Sequence, residues 1–366
     1  MNFLKSLFAK KEKSEELYTH DTFWNWFKEN QQQFFNAIKN QQDIEKDFFD
    51  KLSPELIKFG HDFYFVAGMK DENTAELIIT ADGVIKNIVF VEDLIKDAPI
   101  LNNWVFTALK KPAVDIQNIG IQMGDYNFDK DNLSFYAIKH YHQPDEVDIV
   151  ITYDKYNEED KQLITNGVYI FLDNYLGELE SITTIDNLKI ISKAEAKEEL
   201  IPIDKLKDYL IWREKEFIEQ YQGTRRSTDN DNYSMFEGEL GNGNPLLAAI
   251  NIGVLNWDKK ASHPWICSLL IHYKSENNGL PSNHDYEVLN QIEDEIMIEL
   301  KDDQGYINIG RETANEEREI YFACREFRKP SKVLHQIQQK YKNQFKIDIN
   351  IYKDKYWQSF DRFIKH

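Results

Sequence analysis

Apolar and polar positions alternate strictly over residues 265–273. Trp265, Cys267, Leu269, Ile271 and Tyr273 fall on one side, the pattern of a half-buried strand. Asn278-Gly279 and Pro281 break that pattern. Ser282, with Asp285 three residues on, reads as a helix start. Tyr286, Leu289, Ile292, Ile296 and Leu300 then recur at helical spacing, with Glu287, Asp294, Glu295 and Glu299 mostly on other faces. Gly305 ends the segment. Residues 306–309 read as a short strand, 310–317 as a polar turn, and 318–325 as a second strand with Ile320, Phe322 and Cys324 on one side. Pro330 and Ser331 open a helix carrying Val333, Ile337 and Tyr341, and Phe345, Ile347, Ile349 and Ile351 alternate with Lys346, Asp348 and Asn350. The order β-α-β-β-α-β predicts a ferredoxin-like unit. One face of its sheet should be apolar and covered by two helices, the other polar or mixed. That fold hosts many activities and fixes none.

The first two hundred residues also mix the two periods. Asp21 is placed to cap a helix whose Phe23, Phe27, Phe34 and Ile38 align, and 44–59 continues helically with a break at Ser53-Pro54. Residues 62–69 and 74–81 read as paired strands, 88–98 as a helix, and 104–109, 119–126, 133–142 and 147–153 as strands. A helix follows over 158–175, with Gly177 near its stop, then a short strand at 188–191. The sequence therefore predicts an α+β protein with these parts: a flexible leader (1–19), an N-terminal α+β domain with a mainly antiparallel sheet (20–200), a linking helix and linker (201–229), and the C-terminal ferredoxin-like domain (230–366). Residues 223–232 (GTRRSTDNDN) mark the boundary, and 241–245 (GNGNP) a second loop.

In the C-terminal part, His263-Pro264-Trp265, Ile292-Glu293-Asp294, the run YINIGR at 306–311 and REIYF at 318–322 resemble a bacterial family, domain of unknown function 695. The resemblance covers roughly residues 230–364. It implies no catalytic residues. Some members accompany a domain similar to the protein regulator of ribonuclease E, which implies a regulatory, protein-binding role by association. The first 200 residues resemble an N-terminal region of Bacteroidetes-type proteins, which also carries no assigned activity.

Composition narrows the classes. Among 366 residues, 44 are Lys or Arg and 63 Asp or Glu, a formal charge of −19. A phosphate-binding surface needs clustered positive charge, so nucleic acid is not expected as a partner. Two cysteines in a chain this long argue against a disulfide-stapled secreted protein and for the cytoplasm. No apolar run approaches the ~18 residues of a membrane span. Phe3, Leu4, Leu7 and Phe8 precede lysines, a pattern unlike a signal peptide that would suit at most a short interfacial helix.

Candidate chemistry is sparse. His140 and His142 alternate on an expected strand and could bind a metal with Asp145 or Glu146, though surface histidines at a strand end are the simpler reading, and no metal or cofactor is expected. Cys267 and Cys324 should meet on the core face as buried, reduced thiols. Gly241, Gly243 and Pro245 lack a dinucleotide fingerprint or Walker lysine, and Arg225-Arg226 reads as solvated linker. The best site hypothesis is an aromatic–arginine surface built from Trp257, Trp265, Arg311, Arg318 and Tyr321, residue types enriched at protein hot spots. A plain alternative pairs Arg311 and Arg318 with Glu312, Glu316 and Glu319. The expected function is a non-enzymatic protein-binding or regulatory module. The alternative is a hydrolase or small-molecule-binding protein with its site between the two domains.

Overall fold

The computed structural model describes residues 18–364 apart from Gln42 and Glu276. The leader, with Phe3, Leu4, Leu7 and Phe8, falls outside them but for its last two residues. The protein mixes helix and strand throughout, as an α+β chain should. It divides into two compact units. One takes residues up to Ile79 with Phe90–Ala108, and the other takes Thr80–Val89 and everything from Leu109 onward. No described helix is long and apolar enough to cross a membrane.

The smaller unit contains helix α1 (His20–Asn40), α2 (Asp50–Ile57) after a π-helical turn, strands β1 (Tyr64–Met69) and β2 (Ala75–Thr80), part of α3 (Ile85–Lys96), and β3 (Trp104–Ala108). Thr19, not Asp21, caps α1, its hydroxyl accepting from the Thr22 N–H. Phe23, Phe27 and Phe34 are buried, and Phe27 meets Trp104 edge-on with centroids 5.0 Å apart. The aromatic surplus of the composition is therefore core here. The strand order is β1-β2-β3, and β2 and β3 pair in parallel. That departs from the mainly antiparallel expectation, because a helix joins the two strands.

The larger unit begins with the hairpin β4 (Ile121–Met123) and β5 (Tyr126–Phe128), which turns at Gly124 where one long strand was expected. Strands β6 (Leu133–Ile138) and β7 (Asp148–Tyr153) follow, then α4 (Lys161–Leu176), α5 (Glu178–Thr184), β8 (Asn187–Ser192), the two-residue β9 (Ile201–Pro202) and α6 (Leu206–Tyr221). Their sheet runs β8-β7-β6-β9, and Phe135, Ile149 and Ile151 pack on Val168, Phe171 and Leu206.

The remaining elements are β10 (Tyr233–Glu239), β11 (Pro245–Asn251), α7 (Ile252–Leu255), β12 (Trp265–His272), α8 (Asn283–Glu299), β13 (Tyr306–Ala314), β14 (Glu317–Cys324), α9 (Arg328–Tyr341) and β15 (Lys346–Lys353). They form one antiparallel six-stranded sheet ordered β10-β11-β13-β14-β12-β15. The four strands read from sequence pair as expected, with β12 between β14 and β15. Two further strands, over residues flanking the 241–245 loop to which the sequence assigned no element, extend the sheet at β13. The expected polar turn at 310–317 is instead strand on both sides of a tight hairpin, with a bulge at Asn308/Gly310. The second sheet face is mixed, with Ser268, Glu319, Asp348 and Asn350 sharing it with apolar residues. Ile266, Ile307, Ile309, Tyr321 and Ala323 are buried there beneath Val254, Trp357 and Phe360.

Candidate functional site

The sheet extension creates the best-defined site. Two rows of residues cross it on the helix-bearing face. Met235, Ala249 and Arg311 are register partners in one row, and Leu247, Thr313 and Arg318 in the next. Helix α8 lies against these rows through Tyr286, Asn290 and Glu293, spaced so that all three share one face. The apolar Leu289, Ile292 and Ile296 of the same helix are buried and fix its position. Because the sheet reaches past the helix, a cavity of about 160 Å³ opens at the margin. It is lined by Met235, Leu247, Leu280, Tyr286, Arg311 and Arg318 among others.

Its charged groups are unevenly matched. Arg311 Nη1 donates to Glu293 Oε2 at 2.7 Å, and Asn308 Nδ2 donates to Glu293 Oε1 at 3.2 Å. Glu293 is buried and this pair holds it. Arg318 is 1 % exposed. Its Nε donates to Thr313 Oγ1 (3.0 Å) and its Nη1 to Asn290 Oδ1 (2.8 Å), and the Tyr286 ring lies 5.0 Å from its guanidinium. No carboxylate among the described residues reaches ion-pair distance of Arg318, and its Nη2 has no hydrogen-bond partner there. Burial, then the neighbouring Arg311 charge, pulls the Arg318 pKa down to about 10, which leaves it cationic at neutral pH.

The five residues expected to form one surface separate. Arg311 and Arg318 share this cavity, but neither pairs with Glu312, Glu316 or Glu319. Trp265 lies on the same sheet face but is buried against Phe327, 4.9 Å away edge-on. Tyr321 is on the opposite face, its ring against Phe360 and its hydroxyl donating to Glu319. Trp257 packs on that face too, edge-on to His263. Alternation along a strand makes this separation unavoidable, since odd and even positions of 318–324 point to opposite faces. Glu293 was missed: among so many acidic residues of α8, only its place beside Leu289 and Ile292 on the inner face marks it.

The other candidates resolve as follows. Cys267 and Cys324 are both buried and free. Burial and the neighbouring Cys267 side chain push the Cys324 thiol well above its ordinary range, as inert core thiols require. Gly241 and Gly243 lie in the β10–β11 turn, and Pro245 opens β11. Arg226 pairs with Asp231 at 2.5 Å, while Arg225 is exposed and bonds only the adjacent Thr224 carbonyl. His140 sits beyond the end of β6, against Asp148, and His142 is exposed beside Tyr141.

A second cavity, about 330 Å³, is lined by Thr183, Arg213, Phe217, Trp265, Phe327 and Lys353, with others. Lys353 and Lys355 both line it, and their ammonium groups meet the Asp186 carboxylate at 2.5 Å and 2.6 Å. Burial pulls Lys353 down to about 8.

No curated protein and no solved structure matches the chain. Residues 231–364, which hold the whole six-stranded sheet and its arginine-lined cavity, match the model of a family of unknown function, DUF695.

Proposed function

We propose that the protein is a non-enzymatic binding module whose C-terminal domain receives a carboxylate of a partner protein in the Arg311–Arg318 cavity. One observation carries this reading. Among the described residues, Arg318 is a buried cation with an unused Nη2 and no carboxylate within ion-pair distance. A buried charge without a counter-charge is costly unless an incoming group completes it. The planar guanidinium fork suits a carboxylate, and the apolar Met235, Leu247 and Leu280 beside it suit an apolar neighbour of that carboxylate. We read β12 to β15 with α8 and α9 as a ferredoxin-like unit, a reading supported by the order β13-β14-β12-β15. Two free, buried thiols support action in the cytosol.

The test is titration calorimetry of the full chain with short peptides that place Asp, Glu or a free C-terminal carboxylate beside an apolar residue. Each is compared with its Asn, Gln or amidated counterpart. We expect a carboxylate form to bind and its neutral counterpart to bind at least about tenfold more weakly. Arg318→Met should abolish binding. Met235→Glu, a change at an exposed position lining the cavity, should compete with the ligand and weaken it. Equal binding of acid and amide forms, or none by any, sinks the reading.

The alternative, a small-molecule or hydrolytic site, is supported by the larger cavity with its Lys353 amine near neutral pKa. Ligand binding insensitive to Arg318→Met but lost in Lys353→Met would favour it.

A further inference from the structure

A different corner of the larger unit is short of positive charge. Asp145, Glu146 and Asp148 lie at the start of β7, and Asp186 just before β8. The two lysines of this region, Lys353 and Lys355, both pair with Asp186. Arg213 donates to the main-chain carbonyls of Pro144 and Glu146 and pairs with neither carboxylate there. Asp145 is satisfied by the hydroxyls of Tyr221 and Tyr356. Glu146 and Asp148 are left with side chains only 12 % exposed and no Lys or Arg within ion-pair distance among the described residues. Such a pair calls for a cation.

The group facing them is an imidazole. His140 Nε2 is 2.8 Å from Asp148 Oδ2 and 3.9 Å from Glu146 Oε2. One ligand atom from each of the three lies within 4.8 Å of the others. The backbone explains the convergence: His140 leaves the end of β6, and Glu146 and Asp148 are two residues apart on the entry to its antiparallel neighbour β7. Asn187, the register partner of Asp148 on β8, donates from Nδ2 to Asp148 Oδ1 at 2.7 Å. That bond turns Oδ2 toward the imidazole, the outer-shell support that ligating carboxylates usually have.

We propose that His140, Glu146 and Asp148 form a binding site for one divalent transition-metal cation, of which Zn²⁺ is the best fit. The imidazole nitrogen is a borderline donor, and its presence beside two hard carboxylate oxygens suits Zn²⁺ or Mn²⁺ better than Ca²⁺ or Mg²⁺. Bonds of about 2.1 Å to a common metal put ligand atoms about 3–4 Å apart. The observed separations need only small side-chain adjustments, with His140 releasing its hydrogen bond to Asp148. Three protein ligands leave a coordination position for water or a partner's donor. The site takes one of the two histidines the sequence singled out and pairs it with acidic residues; His142 has no part in it.

The full chain, stripped with a chelator, is titrated with Zn²⁺ against a chromophoric competitor. One equivalent should bind per chain. His140→Ala and the isosteric Glu146→Gln and Asp148→Asn should each weaken it at least about tenfold, while His142→Ala leaves it within about twofold. Co²⁺ in place of Zn²⁺ should give a visible absorption band that vanishes in His140→Ala, a readout that a purely structural His140–Asp148 hydrogen bond would not produce. Absence of stoichiometric binding overturns the proposal. So does binding that survives Glu146→Gln and Asp148→Asn, or that His142→Ala removes equally.

Discussion

Arg311 Nη1 lies 2.7 Å from Glu293 Oε2, and among the described residues this is the one ion pair made by the two arginines that line the cavity. The carboxylate is therefore the counter-charge that lets α8 pack over a sheet carrying Arg311 and Arg318. Glu293→Gln removes it while keeping shape and the Asn308 hydrogen bond. We expect a loss of about 2 kcal/mol in chemical denaturation, below the usual range for breaking a buried pair because Arg311 keeps some water contact. A change under about 0.5 kcal/mol would show that Glu293 is not needed to offset the arginines.

A second buried carboxylate tests the same physics with opposite outcomes at its two ends. Asp186 accepts from the Val147 N–H at 2.7 Å as well as pairing with Lys353 and Lys355. Asp186→Asn leaves two buried ammonium groups without their anion and should cost about 3 kcal/mol. Lys353→Met removes a charge that burial already disfavours, and Lys355 still neutralises Asp186. It should be neutral within about 1 kcal/mol. Equal losses from the two variants would mean that Lys353 contributes as an ion, against its lowered pKa.

How far the sequence exposed these relationships depends on the signal each leaves. The strands β12, β14 and β15 alternate cleanly, and their order alone places Cys267 and Cys324 together. Strand β10 left no comparable trace. Its residues are exposed or half-buried on both sides, so YSMFEGE shows no inner face, and the breakers at 241–245 dominate the reading. Trp357 and Phe360 cover the apolar part of that mixed face from a segment with no period at all, so the cover itself left no signal. Gly310 was read as a turn because glycine punctuates a sequence identically whether it turns the chain or bulges it. The separation of Tyr321 from Arg318 was legible in the parity of their positions. Which arginine would lack a carboxylate was not, since it depends on how α8 rotates.

The paired thiols should behave as core residues. Iodoacetamide at pH 8 should leave Cys267 and Cys324 unmodified in the native chain and alkylate both in urea, read by intact mass. Both are buried, and desolvation raises the Cys324 thiol, so little thiolate forms and none is reachable. Rapid native labelling of either would point to an exposed, activated thiol.

Gly310 should tolerate no side chain. Its φ is +136°, and a Cβ there would sit 2.1 Å from the Ala249 carbonyl oxygen on the adjacent strand. Gly310→Ala must therefore either push β11 away from β13 or remove the bulge, and removing the bulge shifts Arg311 to the other face. We expect about 3 kcal/mol or more of destabilisation. If the variant folds with wild-type stability, the bulge is not fixed by this close approach.

His263 gives the chain a specific acid sensitivity. It is fully buried, its Nδ1 is 2.8 Å from Ser262 Oγ, and its Nε2 has no partner among the described residues. Burial, reinforced by Arg225 and Arg325, pulls its pKa down to about 4. The unfolded chain would bind a proton near the ordinary 6.5 and the folded chain only near 4. Its contribution is thus whole above pH 6.5 and is lost as the pH falls through that window, with a slope of at most about 1.4 kcal/mol per pH unit. Other groups also destabilise the fold in acid, so the measurement is a difference. Urea denaturation of wild type and His263→Phe is compared from pH 7 to pH 4, with phenylalanine keeping the edge contact to Trp257. The wild type should lose stability more steeply than the variant, chiefly below pH 6.5. Parallel curves would mean that His263 takes up its proton in the folded state, with solvent serving its Nε2.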